Sequence, residues 1–264
     1  MLEIDMELLF LGTGPAEAIP RMGHTDAICK DALRPHSKSR RLRSAALLRL
    51  RETSILIDAG PDIGYQLASH RVQHIDAVLL THAHLDAGGG LKTLAAWAEA
   101  AGRILPVYTE TATQKRYGTF PHLQYRFVKS GGTAKIGALS VRFLRVRHSL
   151  QPGFPTLGFR IGKFAYASDV ASIPSSTLKH LQGVRTFVLD AAFWFAQKYR
   201  GHLTPDKSIK YAQWLGVEHL VLTQTGHTYP PHTDAERALK AYTKSHAPDL
   251  KITLAHDGLR LRLS

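Results

Sequence analysis

The sequence predicts an α/β chain: a four-layer αββα sandwich forming one domain over residues 1–264. Two observations carry this. Short apolar runs bounded by turn residues alternate with stretches that read as helices. Strand-rich halves with helices between them bury their apolar faces when two sheets stack and the helices cover the outside. No internal repeat, low-complexity tract or linker divides the chain. Alternation alone does not select this sandwich from other α/β arrangements; particular residues, given below, do.

The bulk composition sets limits. At 264 residues with 44% hydrophobic side chains, the chain is long enough for a sizeable core. No apolar run approaches the roughly 20 residues needed to span a bilayer, so no membrane partner is expected. The start, Met1-Leu2-Glu3-Ile4-Asp5, is acidic rather than signal-like, and a cytoplasmic location is the expectation. A single cysteine excludes an internal disulfide framework, and 15 histidines favour metal chemistry. The formal net charge of +13 favours anionic partners such as phosphate esters, nucleic acid or acidic membranes, without choosing among them.

The elements follow in order. Glu7–Leu11 reads as a first strand, ended by Gly12-Thr13-Gly14-Pro15. That turn lacks the glycine-lysine pattern of a phosphate-cradling P-loop. His24, Asp26 and Cys29 are closely spaced and of the right types to ligate a structural zinc, although the residues taken alone favour a solvated loop with a half-buried cysteine. Residues 34–43 form a basic connection, either a solvated loop or a rim that attracts anionic substrate. Ser44–Leu50 and Ser54–Asp58 read as paired strands closed by Asp58-Ala59-Gly60, and Ile63–His70 as a short helix.

Ala77–Leu80 then reads as a buried strand end leading into Thr81-His82-Ala83-His84-Leu85-Asp86-Ala87-Gly88-Gly89-Gly90. Extended backbone points residues two apart the same way, so His82 and His84 aim two imidazoles at one point, as a transition metal requires. Asp86 continues the alternation and supplies an oxygen ligand or a general base. The glycines release the chain into a helix from Leu91.

Beyond it, Ile104–Tyr108 reads as a strand. Gln114–Phe127 is rich in aromatic and basic residues, suiting either ordinary packing or a cover over substrate. Leu139–Arg147 alternates apolar and basic residues, as a half-buried strand with a cationic outer face, and His148-Ser149 terminates it. Thr156–Ile161 and Lys163–Asp169 form a hairpin-like pair. Thr186–Asp190 is a strand, and Gly201-His202-Leu203-Thr204 opens a helix with Pro205 in its first turn and Trp214-Leu215-Gly216 at its close. His219–Thr223 is a strand running into Gln224-Thr225-Gly226-His227, and the segments from Ile252 to Leu263, around His256-Asp257-Gly258, are the closing strands.

Thr-His-x-His-x-Asp resembles the metal-binding motif of the metallo-β-lactamase-fold hydrolases, Thr-His-x-His-x-Asp-His. Strand–Gly-Thr-Gly at the start, Asp-x-Gly at Asp58 and the late Asp-Gly turn resemble the same family, and the likeness covers nearly the whole chain. It looks most like the PhnP-type cyclic phosphodiesterases of the carbon–phosphorus lyase pathway, in which Cys-x-Cys-x-x-Cys and a distant histidine hold a structural zinc. Here that pattern is His24-x-Asp26-x-x-Cys29, with His227 as the candidate fourth ligand. The resemblance implies the αββα sandwich. It makes His148 the third metal histidine and Asp169 the last carboxylate, Asp58 a residue supporting the metal site from behind, and His202 a pocket histidine that moves protons or contacts phosphate.

Two departures bear on mechanism. The motif's last histidine is Ala87, and the family's late Leu-Thr-His is Leu-Thr-Gln, with Gln224 at the ligand position. Both losses fall on one ion of the family's pair. The set for the other ion, His82, His84, His148 and Asp169, is intact. The expectation is therefore a hydrolase with one divalent ion (zinc, manganese or iron) and a degraded second site. It would act on small anionic phosphate esters, cyclic or nucleotide-like, through a metal-activated water, with Asp86 and His202 handling protons and Gln224 contacting ion or substrate. An RNA-processing nuclease is less favoured because no long arm to grip RNA is evident; a catalytically weak metal- or ligand-binding protein is the other alternative. The sequence leaves the oligomeric state open, a homodimer being compatible with it.

Overall fold

A computed structural model describes residues 6–148, 154–197 and 201–263. The acidic N-terminal residues and Ser149 lie outside this set.

The first sheet gathers β1 (Met6–Gly12), β2 (Ala45–Leu50), β3 (Thr53–Ile57), β4 (Ala77–Leu79), β5 (Leu105–Thr109) and β6 (Leu123–Phe127), with the last strand of the chain on its edge. The second gathers β7 (Thr133–Ile136), β8 (Leu139–Val146), β9 (Thr156–Ile161), β10 (Phe164–Ala167), β11 (Thr186–Asp190), β12 (His219–Thr223) and β13 (Lys251–Leu254). That last strand, β14 (Arg260–Leu263), pairs antiparallel with β1. Strand orders are β14-β1-β2-β3-β4-β5-β6 and β13-β12-β11-β10-β9-β8-β7.

Leu8, Leu48, Ile55 and Ile57 of one sheet meet Phe143, Phe159, Tyr166, Val188 and Val221 of the other in a central core. Outside the first sheet, α2 (Ile63–Ser69) and α4 (Leu91–Ala100) cover Leu47, Leu56, Val78 and Val107. Outside the second, α1 (Ala27–Ala32), α6 (Ser175–Leu181), α7 (Pro205–Leu215) and α8 (His232–His246) cover Ala165, Phe187, Leu189 and Leu222. The single-turn α3 (Leu85–Gly88) and the short α5 (Thr111–Tyr117) complete the set. Ala45–Leu48 of β2, Ile55–Ile57 of β3 and all of β4 are buried on both faces and accordingly read as apolar runs.

One expectation changes here. Asp86 does not extend the His82–His84 alternation: the chain turns helical at Leu85, so Asp86 reaches the site from the first turn of α3. Gln114–Phe127 holds the end of α5 and the edge strand β6, and the Tyr117 hydroxyl donates to the carbonyl of His84. The sequence reading also assigns no element between His227 and Ile252, where α8 runs for 15 residues.

Parallel pairing places the site. Strands β10, β11 and β12 run parallel, and β8 shares the direction of β10 because both lie antiparallel to β9. Their carboxyl ends, carrying His148, Asp169, Asp190 and Gln224, therefore open on one edge of the sandwich. The loop after β4 joins them there, tied across by the bond from Leu157 N to Thr81 O (3.0 Å).

Candidate metal centre and its pocket

His82 Nε2 and His148 Nε2 lie 3.0 and 3.1 Å from His84 Nδ1. His148 Nδ1 lies 2.8 Å from the carbonyl of Gly201 and donates to it, so a neutral imidazole there keeps its lone pair on Nε2. The Thr81 hydroxyl lies 2.9 and 2.8 Å from the two Asp58 oxygens and 2.8 Å from His82 Nδ1. Burial raises the Asp58 carboxyl well above its ordinary range. With Asp58 ionised, Thr81 donates to it and accepts from His82 Nδ1, which leaves a lone pair on His82 Nε2. Two lone pairs then face one atom, His84 Nδ1, that can carry at most one hydrogen. Nitrogens bound to zinc at 2.0–2.1 Å in tetrahedral geometry would sit about 3.3 Å apart, close to what is found.

Burial pushes the pKa of His82 down to about 3 and that of His84 below its ordinary value, so both are in the neutral form that binds a cation. Asp169 Oδ1 lies 4.0 and 3.9 Å from the Nε2 atoms of His82 and His148. Burial pushes its carboxyl up, but the surrounding His82, His148 and His202 and the Ser168 hydroxyl (2.7 Å) outweigh this and keep it ionised. The donor set suits a divalent transition metal. Asp58 supports it from behind through Thr81 rather than by touching a histidine, and holds this post in a left-handed conformation (φ 61°). Gly60 is needed there, because any Cβ would run into the carbonyl of Asp86.

The second ion's place is different. Ala87 is buried and offers no donor atom. Gln224, also left-handed (φ 61°) and buried, donates Nε2 to Asp169 Oδ1 at 2.7 Å, while its Oε1 has no partner among the described residues. An amide N–H thus meets the same Asp169 oxygen that lies nearest His82 and His148.

His202 and Asp86 complete the pocket. His202 Nδ1 lies 2.5 Å from Asp190 Oδ2. Burial pulls its pKa down, but the Asp190 charge and hydrogen bond prevail and hold it at about 9. Asp86 is pushed up to about 7 by burial and then by the charge of Asp169. Sequence reasoning took Asp190 only as a strand end. It is fully buried and also accepts from the backbone N–H groups of Val170, Ala192 and Leu203 at 3.0 to 3.1 Å.

Of the second predicted set, His24, Asp26 and His227 bring their ligand atoms within 4.8 Å of one another, and Cys29 reaches His227. Asp26 Oδ2 lies 3.3 Å from His24 Nδ1 and 3.9 Å from His227 Nδ1, and Cys29 Sγ lies 3.4 Å from His227 Nδ1. Zinc at 2.3 Å from sulfur and 2.0–2.1 Å from nitrogen would set that last distance near 3.5 Å. Asp26 caps α1 at the same time, through Cys29 N at 2.9 Å. A cavity of about 860 Å³ runs between the two clusters, lined at one end by His84, Asp86, His148, Asp169 and His202 and at the other by His24 and His227.

The model of the β-lactamase superfamily domain matches residues 53–223, more than half of the chain. The chain belongs to the β-lactamase superfamily. Among solved structures, this superfamily member is similar to a diphosphatase from the PhnP family, at 26% identity and a TM-score of 0.84 over 98% of both chains. An alignment of 272 positions that covers 97% of this chain is 26% identical to the octanoyltransferase of Porphyromonas gingivalis, covering 53% of that protein. An alignment of 166 positions that covers 60% of this chain is 32% identical to the ribonuclease Z of Methanopyrus kandleri, covering 51% of that protein. The chain thus spans about half the length of each of those two relatives. None of its described helices is long and apolar enough to cross a membrane.

Proposed function

We propose that this chain is a metal-dependent hydrolase, a phosphodiesterase of small cyclic or nucleotide-like phosphate esters, working as one domain with one catalytic ion. The observation that carries this is the convergence of His82, His84 and His148 within hydrogen-bond distance, with two lone pairs turned to a common point beside Asp169. His82, His84, His148 and Asp169 would hold the ion, and His24, Asp26, Cys29 and His227 a structural zinc. A divalent ion in the first set supplies Lewis acidity and lowers the pKa of bound water toward neutrality.

The protein's own groups do the rest. Asp86, at about 7, accepts a proton near neutral pH. His202, at about 9, is protonated there and donates to the leaving oxygen, with Asp190 fixing its ring and stabilising its charge. Two titratable groups on one cavity with separated pKa values suit an acid and a base. A cation bound beside them would lower both values. The likeness to a PhnP-family diphosphatase supports phosphoryl chemistry, and the net charge of +13 supports an anionic substrate.

Metal analysis of the purified protein, with hydrolysis of bis(p-nitrophenyl) phosphate in zinc, manganese or iron, tests the reading. Turnover dependent on an ion at the histidine cluster is expected. A protein that binds one ion there yet turns over no phosphodiester would support a second reading, a ligand-binding member of the fold, which the loss of donors at Ala87 and Gln224 favours. Cleavage of precursor RNA but not of small esters would favour the nuclease instead, in line with the similarity to ribonuclease Z.

A further inference from the structure

We propose that Arg43 is the phosphoryl-binding residue of this pocket, its guanidinium taking the anion-clamping role for which a second cation is missing. The inference rests on the phosphate-ester reading above. Arg43 belongs to the basic connection of residues 34–43 and lies in the cavity wall with His84, Asp86, Asp169 and His202.

Arg43 is held from several sides. Its backbone N–H donates to Asp62 Oδ2 at 2.9 Å, and Nη1 lies 3.0 and 3.2 Å from the two Asp62 oxygens. Nε donates to the carbonyl of Ala16 at 2.8 Å. The Arg43 carbonyl accepts from Gln66 Nε2 at 2.8 Å and packs so tightly on Gly12 that a Cβ there would collide with it. Nε and Nη1 are thus engaged, and among the described residues nothing bonds Nη2. The side chain is 28% exposed and lines the cavity. A guanidinium already immobilised loses little freedom when an anion arrives, and Nη2 keeps two N–H donors for a phosphoryl oxygen.

Charge balance points the same way. With one ion instead of two, an arriving phosphate ester meets Asp86, Asp169 and Glu17 in the same cavity lining. The cationic groups facing it are His202, Arg43 and, on the exposed loop ahead of α1, Arg21. Asp62 balances the Arg43 charge as an ion pair but leaves Nη2 unbonded among the described residues.

Inorganic phosphate, titrated by calorimetry into the zinc-loaded protein, tests the proposal without turnover. Arg43→Met should weaken phosphate binding by at least about tenfold, the worth of one charge-assisted hydrogen-bonding group, and Arg43→Lys should fall between it and the native protein. Arg43→Ala should regain phosphate binding when millimolar guanidinium is added, a rescue that a purely structural arginine would not give. Asp62→Asn, which keeps an acceptor for the Arg43 backbone but removes its counter-charge, should tighten binding about twofold or more. If Arg43→Met does not fold, Arg43→Lys and Asp62→Asn carry the comparison. Phosphate affinity unchanged within about twofold in the folded Arg43 variants, with zinc content intact, overturns the proposal, as does a native protein that does not bind phosphate at all. A native protein that binds phosphate through Arg43 but hydrolyses no ester would leave this inference standing and remove the hydrolase reading.

Discussion

Replacing Asp190 by asparagine should uncouple His202 and make stability depend on pH in a defined way. In the native protein His202 is held at about 9 against an ordinary 6.5. That rise corresponds to about 3 kcal/mol. The folded value is raised, so this stabilisation is fully present below pH 6.5, declines as pH rises toward 9 and is gone above it. About 2 kcal/mol of it remains at pH 7.5.

Asparagine has one acceptor oxygen where Asp190 uses two, so at least one of the N–H groups of Val170, Ala192 and Leu203 would face an amide donor. That adds about 1–3 kcal/mol independent of pH. The loss relative to the native protein should therefore be about 3–5 kcal/mol at pH 7.5 and narrow to about 1–3 kcal/mol above pH 9. Denaturant unfolding of the metal-free proteins from pH 6 to 9.5, with an NMR titration of the His202 ring, measures both terms. A deficit that stays flat across this range, or a His202 that titrates identically in both proteins, refutes the reasoning.

Other outcomes follow from the same geometry. Ala87→His with Gln224→His should raise the ions bound near the active site from one to two per chain by metal analysis; no gain would mean the second-site positions are misassigned. His148→Ala should lower affinity for the first ion and cut ester hydrolysis by about a hundredfold or more, because a three-nitrogen set loses a member. Cys29→Ser should lose zinc from the second cluster only, read as the disappearance of the thiolate-to-metal absorption in a cobalt-loaded sample, since the chain has no other cysteine. Arg41→Met should destabilise the fold by about 3–5 kcal/mol, read as a lower Tm. The buried guanidinium of Arg41 bonds Thr13, the carbonyl of Ala255 and His232, and compensates the buried Asp257.

What was legible in the sequence, and what was not, divides along physical lines. The pairing of His82 with His84 was readable because residues two apart on extended backbone share a direction whatever lies around them. Extending that logic to Asp86 failed, because the chain becomes helical one residue after His84 and no local signal separates two more extended residues from a single helical turn. His148, Asp169 and the His24–Asp26–Cys29–His227 set were placed by resemblance; their residues alone also fit strand ends, caps and loops. Asp190 was missed because a strand-terminal aspartate looks like any other, and its bonding exists only once Val170, Ala192, His202 and Leu203 fold around it. Arg43 looked like one basic residue in a run of them; only the packing of Gly12, Asp62 and Gln66 sets it in the pocket wall.

The sequence by itself determined the apolar runs that become two sheets, the one motif that presents two imidazoles, and the absence of donors at Ala87 and of a histidine at Gln224, because each is a property of side-chain type and backbone period. Only the tertiary structure decided that β8, β10, β11 and β12 end on one edge, that an amide N–H faces Asp169, and that an aspartate holds His202 protonated. Those depend on which strands lie side by side and on how much water their packing removes, and neither is written in any single stretch of chain.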